Sequence, residues 1–494
     1  MTVLCMRCSR TKNFRPERCV VLDGKPCSAC TQDIELELAI QELENQIEMI
    51  HTKRRALRTV MNENHDQLIS KFPPEIASQI FIHYTPHKEN NTSNPLYLGA
   101  VCQKWRQLAW RTPQLWTVVV VRVYSPQLLA EYLERSASLP LSISLFPSQK
   151  KIDDEIYLEA INILNMHSSR WRILRNALPA HYLHRLFGSP GGNILSELIL
   201  RQTEESTEHG DAYDAATFSM MCKPTPVGLA LAKYRLANVD IVFNRLTHTK
   251  LRYIAVHECF ELMRRAPLLE TLSLFGIIRS SETFPVPAAR IILPRLRRLT
   301  ILNVSDESVF AQILDSICAP SLKHWNHELS EDPASVDNII SFIEHSSFSL
   351  KTFQVWGCPH VYNQVHGLLC HLSSLNSLTV KFWYRNQSST DELLNRLCAS
   401  DESSPFLPHL RTLEFSPQLT FSWESLPRIF SSPTRQSLRV KVDEKTDAHI
   451  PDEAAEKLLE LVDAGFNLSI LRDGKVDVLE EHREKRRLSQ VTHQ

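Results

Sequence analysis

Beyond residue 165 the chain repeats one short pattern: an apolar residue, two others, an apolar residue, one other, and a third apolar residue. It reads Trp171/Leu174, Leu195/Leu198/Leu200, Leu231/Tyr234/Leu236 and Leu251/Ile254/Val256. It continues through Leu269/Leu272/Leu274, Leu296/Leu299/Ile301, Leu322/Trp325 and Leu350/Phe353/Val355, and closes at Leu375/Leu378/Val380 and Leu410/Leu413/Phe415. The last two positions of each triplet lie two residues apart, the spacing that places side chains on one face of a strand. Between triplets, Val309, Phe310, Ile313, Leu314 and Ile317 fit one helix face, and Val336, Ile339, Ile340 and Ile343 fit another. A strand plus a helix cannot bury its apolar face alone, so about ten such units must stack to share a core.

First members of the triplets lie 18 to 36 residues apart. Several intervals fall in or near the period of leucine-rich repeats, about 20–29 residues. The period is irregular and the consensus asparagines are missing. The expected fold is therefore α/β, an irregular leucine-rich-repeat-like solenoid over residues 166–445; a less regular α/β domain is the alternative. Residues 446–494 have another texture. Pro451-Asp452 opens a helix through Ala454, Ala455, Leu458 and Leu459, Gly465 stops it, and Leu468, Ile470 and Leu471 read as a strand. The charged stretch from Glu480 to Arg487 reads as a solvated tail behind this cap.

Composition removes several function classes. The 494 residues carry a net charge of −1, so no global field draws the chain to nucleic acid or an anionic membrane, and neither is expected as a partner. Twelve glycines are about a third of ordinary usage. Phosphate-cradling loops need glycine for close backbone approach, and neither GxGxxG nor GxxxxGK[ST] occurs. The cluster Gly188-Ser189-Pro190-Gly191-Gly192 reads as a surface turn. No apolar run approaches the ~20 residues of a membrane span, and the N-terminus lacks the apolar core of a signal peptide. A cytoplasmic or nuclear location with reduced cysteines is expected.

The N-terminal segment, residues 1–31, holds Cys5, Cys8, Cys19, Cys27 and Cys30. Cys5-x2-Cys8 and Cys27-x2-Cys30 have the spacing of a tetrathiolate structural zinc site. Arg7, Arg10, Lys12, Arg15 and Arg18 would lower the thiol pKa values. An unmetallated N-terminus is the other reading. The fungal two-zinc six-cysteine cluster is a poorer fit, because Cys8 and Cys19 are too far apart and no sixth cysteine follows Cys30. Residues 32–66 read as a helix. Leu36, Ile40, Leu43, Ile47, Ile50, Leu57 and Met61 step by alternating fours and threes, with Arg54 in the polar slot. This seam is about 38 Å long. It either docks on its own chain or self-associates as a coiled coil.

Residues 68–117 begin with Phe72-Pro73-Pro74-Glu75-Ile76-Ala77-Ser78-Gln79-Ile80-Phe81. Two prolines open a helix with Ile76, Ile80 and Phe81 on its apolar face. After a polar loop, Leu98, Val101, Trp105 and Leu108 recur at threes and fours and are expected to share one helix face, ended by Thr112-Pro113-Gln114-Leu115-Trp116. These fifty residues resemble an F-box of the kind abundant in basidiomycete fungi, which reads LPxEIhxxIF…LxxVCxxWRxxAxxTPxLW; here Phe72 stands for the leading leucine. The resemblance implies a small all-helical bundle that binds a Skp-type adaptor and, through it, a cullin–RING ubiquitin ligase. The receptor itself is non-catalytic, and the target protein is not specified. The adaptor-facing residues it implies are Pro73, Pro74, Ile76, Ile80, Leu98, Val101, Trp105 and Leu108. Residues 118–165 are read as a connecting strand and helix.

Two Cys/His groupings invite a nucleophile reading: His257-Glu258-Cys259 and Cys358-Pro359-His360. Both cysteines fall eight residues after a repeat's first leucine, where such repeats place a structural Asn or Cys at the turn. His371, beside Cys370, falls on an expected helix. Other readings stay open: a zinc-dependent coiled-coil transcription regulator, a protein-interaction scaffold outside any ligase, and a hydrolase or transferase, against which the missing glycine loops and the structural home of the Cys/His pairs weigh.

Overall fold

The computed structural model describes residues 3–4, 11–12, 28–65, 67–84, 95–121, 126–147, 154–202, 217–280, 287–304, 306–329, 334–357, 362–382, 388–398, 406–415, 422–430, 435–442, 450–472 and 476–492. It is a mixed α/β chain in two compact units, Met1–Leu115 and Trp116–Gln494. Among the described residues no helix is long and apolar enough to cross a membrane.

In the first unit, β1 (Val3–Leu4) and β2 (Thr11–Lys12) pair antiparallel. Five helices follow: α1 (Ser28–His65), α2 (Gln67–Lys71), α3 (Pro74–Tyr84), α4 (Pro95–Val101) and α5 (Gln103–Trp110). Helix α1, at 38 residues, is about 57 Å long. Pro74 opens α3 where a missing N–H costs nothing, and Glu75 in the first turn suits the helix dipole. The side chains α3 buries are Ala77 and Phe81. Ile76 and Ile80, expected beside Phe81 on an apolar face, are exposed instead.

The single helix face expected from Leu98 to Leu108 is broken. Cys102 is extended, at φ −156° and ψ 174°, and separates α4 from α5. Its thiol caps α5 by accepting from the Trp105 N–H at 3.5 Å. Leu98 and Val101 therefore belong to one helix, and Trp105 and Leu108 to another. Gly99 permits the close approach of α4 and α5: a Cβ there would lie 2.1 Å from the Trp110 ring.

The second unit is built on fifteen described strands of one sheet. In chain order these are β3 (Val118–Val121), β4 (Leu141–Leu145), β5 (Trp171–Asn176) and β6 (Glu197–Arg201). After the short β7 (Phe218–Ser219) come β8 (Gly228–Ala232), the short β9 (Val239–Asp240), β10 (His248–Arg252) and β11 (Thr271–Phe275). Then follow β12 (Ile291–Ile292), β13 (Arg298–Leu302), β14 (Ile317–Cys318), β15 (His324–Glu328) and β16 (Thr352–Gly357). The last are β17 (Ser377–Phe382), β18 (Thr412–Phe415), β19 (Ser437–Val442), β20 (Asn467–Arg472) and β21 (Val476–Asp477). Pairs β7–β9 and β12–β14 form two-stranded sheets of their own. Every other strand pairs with its nearest sheet neighbour in the chain, and all these pairings are parallel except β20–β21.

Helices α6 (Pro126–Arg135) and α7 (Asp154–Met166) follow β3 and β4. Farther on come α8 (Val256–Arg265), α9 (Glu307–Ser316), α10 (Ala334–Ser346), α11 (Tyr362–Leu369) and α12 (Ser388–Cys398). The chain closes with α13 (Ser425–Ile429), α14 (Asp452–Asp463) and α15 (Val478–Thr492). Between β5 and β10 the described connections contain 3-10 turns, not the helix expected in each repeat. The sheet takes in residues 118–145 and 467–477, which lie outside the triplet pattern.

Register turns the triplets into columns. Val119, Ile143, Leu174, Leu198, Leu229, Thr249, Leu272, Leu299, Trp325, Phe353, Leu378, Leu413, Val440 and Ile470 stand side by side across the strands. Alternation buries this column on one face, and the residues between point to the other. The triplets placed at 231–236 and 251–256 are five residues late. The strand residues there are Leu229 and Leu231, then Thr249 and Leu251. Tyr234, Leu236, Ile254 and Val256 are buried in the turns and the helix that follow. A further unit at β19 has Ser437 where the first leucine would stand, three residues ahead of the column residue Val440, and just before it lies buried Arg435. Its guanidinium donates to the Phe406 and Leu407 carbonyls at 3.1 Å each.

The charged C-terminus is a helix, not a solvated tail. Val478 and Leu479 are buried, and Arg483 on α15 pairs with Asp463 of α14 at 2.6 Å.

Candidate functional site

The motif residues of the first unit now have physical roles. Trp105 is partly buried and packs on Phe81, ring centroids 4.7 Å apart, tying α5 to α3. Arg106 Nε donates to the Gly99 carbonyl at 2.9 Å, across the break at Cys102. Thr112, buried, donates to the Leu108 carbonyl at 2.8 Å and reaches Ser78 Oγ on α3 at 3.2 Å. Cys-x-x-Trp-Arg and Thr-Pro thus hold three helices in one arrangement.

The eight residues expected at the adaptor divide. Leu98 is buried, and Trp105 and Leu108 are partly buried, so these three pack the bundle. Pro73, Pro74, Ile76, Ile80 and Val101 are exposed. The surface also holds Phe72, Tyr84 and Tyr97, which sequence reasoning left out of the site. Ile76, Ile80 and Tyr84 step by fours along α3, a spacing that itself pointed to a common helix face, and Phe72 stands one step ahead of the helix. Isolated apolar side chains at a surface mean little, whereas a run of them along one helix marks a docking surface.

A second surface lies on the open face of the sheet. Tyr253 and Phe275 meet edge to face at 5.8 Å, with Lys233 Nζ 5.9 Å above the first ring and the Arg252 guanidinium 5.2 Å above the second. Just ahead of β13, β15, β16 and β18 stand Arg297, Lys323, Lys351 and Arg411, all exposed. Their backbones are laddered: the Lys323 N–H donates to Arg297, Lys351 to Lys323, Asn376 to Lys351 and Arg411 to Asn376, at 2.8–3.0 Å. Arg297, Lys323 and Lys351 therefore recur at about the strand spacing of 4.8 Å, and Arg411 stands two spacings beyond Lys351, past Asn376. The His324 imidazole is held below its ordinary pKa by partial burial and by the charges of Arg298 and Lys323. Farther along, Glu414 lies between Lys381 and Lys441 at 3.8 and 3.5 Å.

The Cys/His groupings do not assemble a nucleophile among the described residues. Cys259 lies on α8, not at the turn where the repeat spacing placed it. It is fully buried, and burial followed by the Glu258 charge pushes its thiol pKa up. His257 Nδ1 faces Ser280 Oγ at 2.6 Å, and Glu258 accepts from the Leu236 N–H at 2.6 Å. His371 follows the end of α11 and is exposed. Cys358 and His360 lie outside the described residues, as do Cys5, Cys8 and Cys27; Cys30 is placed in the first turn of α1. Among the described residues no group of three or more His, Cys, Asp or Glu is placed to hold a metal ion.

No family model matches the chain, and no curated protein matches it at a significant level.

Proposed function

We propose that the chain is a non-catalytic protein-interaction receptor with a docking bundle and a target-holding sheet. More particularly, it is an F-box-like substrate receptor that takes a Skp-type adaptor of a cullin–RING ligase on its first unit. The observation that carries this reading is the exposed row Phe72, Ile76 and Ile80 beside Pro73-Pro74, within a segment that follows the F-box pattern. The neighbour-to-neighbour parallel sheet supports reading the second unit as an irregular leucine-rich-repeat-like solenoid. Its open face, with Tyr253 and Phe275 flanked by Lys233 and Arg252, suits a target segment rich in carboxylates. The receptor's contribution is proximity: it holds target and ligase together, so that transfer becomes effectively intramolecular.

The test is adaptor capture by the purified full chain. Pro73→Ala with Pro74→Ala, and separately Ile76→Glu with Ile80→Glu, should each weaken binding by at least about thirtyfold, the effect of losing an interface anchor. All four positions are exposed, so circular dichroism and the melting temperature should stay at wild-type values. Trp105→Ala is the uninformative choice, since it removes the Phe81 contact and unfolds the bundle. A wild-type chain that binds no adaptor, or variants that bind it equally well, would leave a scaffold outside any ligase.

A further inference from the structure

Helix α1 leaves its seam open. Leu36, Ile40, Leu43, Ile47, Ile50, Leu57 and Met61 are between 51% and 64% exposed. The neighbouring α5 borders a hollow on the Arg58, Thr59 and Asn62 side and leaves Leu57 and Met61 uncovered. Exposed apolar residues repeating at threes and fours are the contact row of a two-helix pair.

The charges say which helix covers it. From Ser28 to Ile50, α1 carries Asp33, Glu35, Glu37, Glu42, Glu44 and Glu48 and no lysine or arginine. From His51 to Asn62 it carries Lys53, Arg54, Arg55 and Arg58 and no carboxylate. One half is an anion and the other a cation, so the helix is complementary to its own reverse.

We propose that α1 pairs antiparallel with α1 of a second copy of this chain. The seam is symmetric about the point midway between Ile47 and Ile50. Reversal sets Ile47 against Ile50 of the second copy, Leu43 against Arg54, Ile40 against Leu57 and Leu36 against Met61, so every seam position meets another. In an antiparallel pair the flanking positions beside the seam face their own kind across the interface. Glu37 then faces Arg58 of the second copy, Glu44 faces His51 and Gln46 faces Lys53. Arg54 lays its methylenes over a leucine while its guanidinium reaches toward the acidic half. A parallel pair in register does the reverse. It sets Arg54 against Arg54 within the seam, Lys53 beside Arg58, and the two acidic halves along each other, and like charges so placed repel.

The test uses the full chain in reductant, so that disulfides play no part, and reads mass by sedimentation across a concentration series. The expected wild-type result is a reversible dimer at twice the chain mass. Ile47→Asp with Ile50→Asp should give a monomer with unchanged circular dichroism, since both side chains are exposed in the single chain. Glu37→Arg alone and Arg58→Glu alone should each raise the dissociation constant about tenfold, because two symmetric pairs turn repulsive at once. The double exchange should return it close to wild type, because residues 37 and 58 meet only when the helices run in opposite directions. A chain that stays monomeric, or a dimer that survives the change at Ile47 and Ile50, would overturn the proposal. So would a double exchange that adds the two losses together. Adaptor capture, read separately, does not depend on any of these outcomes.

Discussion

At the residue scale, the strand ends carry a feature the side chains do not announce. Lys233, Tyr253, Gly276 and Asn303 stand two residues past the third column position on β8, β10, β11 and β13, and all have φ between 55° and 61°. The Lys233, Tyr253 and Gly276 N–H groups donate to Arg252, Phe275 and Leu302 at 2.9–3.0 Å, so the left-handed residue extends the ladder into the turn. Gly276 combines that conformation with a close neighbour, since a Cβ there would lie 2.6 Å from the Tyr253 ring. Gly276→Ala should therefore cost at least about 1–2 kcal/mol, seen as a lower denaturation midpoint. A midpoint equal to wild type would show that the turn relaxes freely.

His327 is the second residue-scale case. It occupies the third column position between Ile301 and Val355, is buried, and stacks on Phe310 with centroids 4.6 Å apart. Burial pushes its pKa from 6.5 down to about 3, so the folded chain holds it neutral. Between those values the unfolded chain binds the extra proton, so the stability this residue supports falls as pH drops below 6.5. The loss reaches about 2 kcal/mol by pH 5. His327→Leu should remove that part of the acid sensitivity, and denaturation midpoints at pH 7 and pH 5 would reveal it. An unchanged pH dependence in the variant would assign the sensitivity to other groups.

At the element scale, α3 and the α4–α5 pair show how far periodicity reaches. Steps of three and four identify residues that share a helix face, and they do so for Ile76 and Ile80. They cannot say whether the face meets protein or water. The break at Cys102 is equally silent in the sequence, because Leu98, Val101, Trp105 and Leu108 keep helical spacing across it. Among the strands, β11, β13, β15, β16, β17 and β18 lie where their triplets placed them. At β8, β10 and β19, Pro226, Thr249 and Ser437 stand in for one apolar member and hide the true register. Thr249 is buried like the residue it replaces.

At the scale of the second unit, each strand of the sheet pairs only with its sequential neighbours, so damage at one end should spread by steps. Removing residues 465–494 deletes β20, β21 and α15, takes away buried Leu468, Ile470, Val478 and Leu479, and bares β19 as a new edge. Amide exchange should then accelerate most in β19, less in β18, and hardly at all near β10. Uniform acceleration through the sheet would mean that the unit unfolds as one cooperative body.

The sequence by itself determined the column residues from β11 to β18, the helix openings at Pro74 and Asp452, the stop at Gly465 and the continuous seam of α1. Each depends on interactions within a few residues: strand alternation, helical spacing, proline's fixed φ and glycine's freedom. Tertiary structure decided that Ile76 and Ile80 face outward while Ala77 and Phe81 face in, that Cys102 divides a helix, and that Lys233 and Tyr253 take a left-handed turn. Those outcomes depend on which element lies alongside. Local spacing fixes which side chains stand together, and only a neighbouring surface fixes whether they are covered.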